Sequence, residues 1–132
     1  MEQSPKRPEV YFLPPTPRMP NSHLPLLIYR GIVPPSEFSV EQIKERLENN
    51  HWGIGGVFPA YCERHFHMSS HECYAVVSGA SSYRLGQGKG DPDSFGTDVR
   101  IEVGDVMVLP VSMIFFLSSD QFSSTFVWIV TL

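Results

Sequence analysis

Helical periodicity occurs once in this chain, and that restricts the fold more than any other feature. Val40, Ile43 and Leu47 fall on one face of a helix, with Glu41, Lys44, Glu45 and Glu48 outside. Ser39 can cap its start, Gln42 three residues later completes a capping-box pattern, and Asn49 and Asn50 are stop residues. A short apolar strand, residues 24–31, precedes the helix. From Trp52 onward short apolar or alternating runs are separated by turn signals. They are "GIGGVFPAY", "ECYAVVSG" with a turn at Gly79, "SYRLG" and "DVRIEVGD" around a Gly- and Asp-rich loop, "VMVLP" after a tight turn at Gly104-Asp105, "MIFFL" and "FVWIV". Six to eight short strands after a single helix predict a mainly β fold, a sandwich or small barrel.

Residues 1–25 carry seven of the twelve prolines. Proline lacks an amide donor, so this lead-in can be neither helix nor sheet interior. Residues 1–23 are expected to run as an extended Pro-rich arm along the surface, with Tyr11, Phe12 and Leu13 touching the body, and residues 24–132 to form a single domain.

Charge and composition narrow the partners. A net charge of −4 with scattered basic residues argues against nucleic acid or an anionic membrane as the main partner. No apolar run approaches the ~20 residues that span a bilayer. The first residues do not resemble a signal peptide, so the expected location is the cytoplasm. Two cysteines, Cys62 and Cys73, are too few for a disulfide scaffold and read as thiols.

Three of the five histidines stand within "HFHMSSH". On a strand His65 and His67 point the same way. "MSSH" is then a turn, and a hairpin brings Glu72, at the start of the next strand, beside the two imidazoles. Two nitrogens and one carboxylate form a facial triad with open metal positions. Iron(II) and manganese(II) suit it, with nickel and zinc as further candidates. The plain alternative is a histidine-rich edge strand facing water. His71 should face away from Glu72 and reads as a turn-capping or solvated residue. A rival set of Cys62, His65, His67, His71 and Cys73 could hold structural zinc. Its spacing fits no finger or ribbon, and Cys73 has the wrong strand parity.

At these residues the sequence resembles a cupin. His65, His67, Glu72 and Gly79 fit the spacing of the first cupin motif, and Gly104 and Pro110 open the second. The pieces "MPNSHLPLLIYRG", "ENNHWGIGGVF", "HFHMSSHECYAVVSG" and "YRLG" are similar, in order, to the small YjlB-type cupins, whose function is largely uncharacterised. The resemblance implies a double-stranded β-helix, or jelly-roll barrel, with a divalent metal inside and a small-molecule ligand or substrate; by the same analogy it implies a homodimer. Two departures stand out. Ser112 replaces the motif glycine and Phe115 the expected third histidine, and the chain stops soon after the second motif, which leaves two expectations open: a barrel closed with fewer strands, or an incomplete barrel from a truncated or aberrantly spliced product. Two function classes follow: a metal-binding cupin acting on a small molecule, or a non-catalytic cupin remnant serving as a ligand- or protein-binding module. Whether the chain is an enzyme is left open.

Overall fold

The computed structural model describes residues 6–37, 39–59, 64 and 66–116, and the backbone of 117 and 124–130. Its architecture is mainly β and antiparallel with one α-helix. The strands are β1 Glu9–Tyr11, β2 Leu26–Tyr29, β3 Gly53–Pro59, β4 Glu72–Leu85, β5 Thr97–Glu102, β6 Val106–Leu109, β7 Phe115–Leu117 and β8 Ser124–Val130; helix α1, Val40–Glu48, lies between β2 and β3. Local chemistry sets the bounds of α1. The Ser39 side chain accepts the Gln42 amide at the N-cap, and Asn49 forms the C-cap.

One large sheet runs in the order β1-β2-β6-β4-β8-β3, and β5 and β7 flank the far half of β4. The 14-residue β4 therefore belongs to both layers. Its first half pairs with β6 and β8, its second half with β5 and β7. Among the described residues the large sheet does not close; β1 and β3 stand at its ends. This two-layered antiparallel arrangement fits the jelly-roll expectation.

The turn expected at Gly79 is not a turn. Gly79 takes a φ of 70°, a conformation that suits glycine, and β4 continues through it to Leu85. A register shift lies between Val76 and Ser78. That bulge has a consequence for the core. Before it, Tyr74 and Val76 face the interior; after it, Tyr83 and Leu85 do. One extra residue reverses the parity, so both halves of the strand turn their large side chains to the same core. Leu26, Ile28, Ile101, Met107, Leu109 and Phe115 complete that interior. The opposite face of the large sheet carries Cys73, Ala75, Val106 and Val108, packed toward Ile43 of α1.

The Pro-rich lead-in touches the body at several points: Leu13 is buried in the core as expected, whereas Phe12 is 69% exposed. β1 pairs with β2 at the sheet edge. Farther on, the buried Asp91 carboxylate accepts the Thr16 hydroxyl and the amides of Arg18 at 3.1 Å and Gly88 at 2.8 Å. The start of the Gly- and Asp-rich loop between β4 and β5 is thus ordered by an aspartate.

Candidate metal centre

Glu72 opens β4, between Leu109 of β6 and Val130 of β8. Its side chain is 3% exposed, although glutamate is rarely buried without partners. Two partners meet it. His67 Nε2 lies 3.1 Å from Glu72 Oε1. The Tyr74 hydroxyl donates to Oε2 at 2.5 Å. Tyr74 shares this face because it lies two residues along the same strand. Burial, and next the neighbouring Glu72, raise the Tyr74 pKa, so the phenol stays a proton donor.

Of the expected triad, the structure brings His67 and Glu72 together. His65 lies outside the described residues. The premise that the histidines alternate on a strand does not hold: residues 66–71 form no strand, and β4 begins only at Glu72. His67 instead belongs to a loop whose carbonyl accepts the Ser112 amide at 2.8 Å. Loop and sheet therefore converge on Glu72 through backbone anchoring and not through strand parity. His71 Nδ1 accepts the Val111 amide at 3.0 Å, tying the same two segments together. The contact joins segments 40 residues apart, whereas the capping expected of His71 was local to the "MSSH" turn.

The 3.1 Å between His67 Nε2 and Glu72 Oε1 is that of a direct imidazole–carboxylate contact; two cis ligands of an octahedral ion with bonds of about 2.1 Å stand at about the same spacing, so the distance alone does not mark a metal. Imidazole and carboxylate are a donor set suited to first-row divalent metals. Among the described residues, however, no group of three or more His, Cys, Asp and Glu is placed to hold a metal. Phe115 lies where the third histidine was expected. It is 2% exposed and stacks edge-on against Tyr74, with ring centroids 5.6 Å apart. Tyr74 was not singled out in the sequence; its strand parity with Glu72 was the signal that could have found it.

Cys73 points to the other side of the sheet, into the layer beneath α1, and is 1% exposed. It cannot join a zinc site on the Glu72 face, and Cys62 lies outside the described residues. Burial pushes the Cys73 thiol up from 9.0 to about 12. The fold thus favours the neutral thiol. That contribution is whole below pH 9 and is lost as pH rises toward 12. Urea titrations should show stability falling between pH 9 and 11, less steeply in Cys73→Ala. At pH 8 a thiol reagent should label Cys73 only in unfolded protein; rapid labelling of the folded chain would contradict the burial argument.

No helix among the described residues is long and apolar enough to cross a membrane. No protein-family model matches the chain, and no curated protein matches it. Among solved structures the chain is similar to Streptomyces albus HEPD with substrate 2-hydroxyethylphosphonate and Fe(II) bound. The identity is 14% and the TM-score 0.41, over 59% of this chain and 18% of that one. The chain therefore spans under a fifth of that neighbour's length.

Proposed function

We propose that the chain is a cupin-like metal-binding protein in which His67 and Glu72, with His65, hold a divalent ion. The observation that carries this reading is the buried Glu72 carboxylate meeting His67 Nε2 at 3.1 Å, at the point where the loop closes over the start of β4. A bound ion would supply Lewis-acid or oxygen-activating chemistry to a small molecule. The chain's own part is positional. Tyr74 occupies Glu72 Oε2 and leaves Oε1 toward His67. The contacts from Val111 and Ser112 fix the loop that carries His67 and His71.

Phe115 favours a second reading, a non-catalytic remnant. An apolar ring stands at the motif position of the third histidine and packs on Tyr74 and Tyr83. Metal analysis of untagged protein separates the two. The first reading expects about one iron, manganese, nickel or zinc per chain, falling roughly tenfold or more in His67→Ala with the circular dichroism unchanged. Folded protein that binds none of the four when each is added would overturn it in favour of the remnant.

A further inference from the structure

The two oxygens of the buried Glu72 carboxylate meet different partners. Oε1 faces His67 Nε2 at 3.1 Å, and Oε2 accepts the Tyr74 hydroxyl at 2.5 Å. The sheet fixes this division. Glu72 and Tyr74 stand two residues apart on one face of β4. Both are paired on either flank, Glu72 with Leu109 and Val130, Tyr74 with Met107 and Trp128. Phe115 props the Tyr74 ring edge-on at 5.6 Å, and Tyr83 backs Phe115 at 6.1 Å. The ring at the motif position of the third histidine thus supports the phenol that bonds Glu72.

That support bears on which ion the carboxylate suits. A short bond from a hydroxyl to a carboxylate oxygen is of the strong, charge-assisted kind. The oxygen that accepts it gives up donor strength. A symmetric chelate through both Glu72 oxygens would require the phenol to move aside, and the packed ring resists that. Ca(II) favours an oxygen-rich shell in which carboxylates are often bidentate. First-row divalent ions accept imidazole together with a single carboxylate oxygen.

We propose that Tyr74 sets ion specificity at this centre: by holding Glu72 Oε2 it keeps the carboxylate a one-oxygen ligand and selects a first-row divalent ion over Ca(II). Tyr74 acts through Glu72 and is a positioning residue. The inference rests on the metal reading, and its test separates the two.

The full chain and Tyr74→Phe are titrated with Fe(II), Mn(II), Ni(II) and Zn(II), and with Ca(II) in competition with the tightest of the four. Phenylalanine keeps a ring against Phe115 and removes only the hydroxyl, so the circular dichroism should be unchanged. The preference for the first-row ion over Ca(II) should fall by roughly tenfold or more in Tyr74→Phe. Disturbed packing alone would weaken both ions alike and leave the preference where it was. Infrared difference spectra of the loaded parent give a second readout, with the Glu72 bands assigned by their loss in Glu72→Gln. The wide splitting of carboxylate stretches that marks one-oxygen coordination is expected, narrowing in Tyr74→Phe. An unchanged preference, or a narrow splitting in the parent, would overturn the role of Tyr74 and leave metal binding standing. Should Tyr74→Phe fail to fold, the parent spectrum still decides. A folded parent that takes up none of the four ions would overturn the metal reading and this inference with it.

Discussion

Asp105→Ala is expected to lower the unfolding free energy by about 3 kcal/mol, a large share of the ~5–15 kcal/mol that holds a domain together. Asp105 is 3% exposed and follows Gly104 in the turn between β5 and β6. Its carboxylate accepts the Gly31 amide at 2.8 Å, the Glu102 amide at 3.0 Å and Arg30 Nη1 at 2.9 Å. Its own carbonyl accepts the Val76 amide at 3.0 Å, next to the β4 bulge. One side chain thus joins the end of β2 to the turn that presents β6, and the same residue's backbone holds the bulge. Alanine leaves two amide donors without their acceptor. Arg30 is not stranded, because it is partly exposed and keeps Glu9 at 2.9 Å. The cost should therefore fall below that of splitting a fully buried ion pair. Asp105→Asn keeps one oxygen acceptor and should cost about half as much. Glu9→Gln breaks only the exposed pair and should cost under about 1 kcal/mol. Urea unfolding with an unchanged slope measures all three. A loss under 1 kcal/mol for Asp105→Ala would mean that water replaces the carboxylate and that the turn holds itself.

What could be read in the sequence divides by the range of the interaction. The α1 cap was legible because Ser39 and Gln42 are three residues apart and their chemistry is local. Strands β5 and β6 were legible from alternation and from Gly104-Asp105. Phe115 was legible as a departure because motif spacing is one-dimensional. The run through Gly79 was not. A glycine at positive φ looks the same in sequence whether it reverses a strand or bends it, and only the pairing of β4 with both layers decides. The Asp91 and Asp105 clamps were also hidden. Each also takes an amide three residues away, but the partners that make them clamps lie 73 to 75 residues away along the chain, and an aspartate in a loop carries no mark of what it will bind. For the candidate centre, the meeting of His67 with Glu72 was expected, but from a strand that is not there. What brings them together is the hydrogen bonding of the 67–71 loop to Val111 and Ser112.

The second large effect concerns the residue that departs from the metal-binding pattern. Phe115→His should destabilise the metal-free protein by about 3 kcal/mol, because a buried phenyl is replaced by a smaller polar ring. The phenyl is held edge-on to Tyr74 at 5.6 Å and tilted to Tyr83 at 6.1 Å, and both contacts weaken. Yet the new imidazole stands at the expected third-histidine position, one ring away from the phenol that bonds Glu72. If His67 and Glu72 hold an ion, a further nitrogen donor should raise its affinity by roughly tenfold or more. Stability then becomes dependent on metal concentration, with about 2.7 kcal/mol recovered at a hundredfold excess over Kd. Phe115→Leu is the control: it disturbs the same packing and offers no donor, so added metal should do no more for it than for the parent chain. Urea titrations of the three proteins, with and without Fe(II), Mn(II), Ni(II) or Zn(II), provide the comparison. Equal rescue of the histidine and leucine variants would show that metal acts elsewhere on the protein. No rescue of Phe115→His by any of the four ions would place position 115 outside coordinating reach, and the aromatic there would be core packing and not a lost ligand.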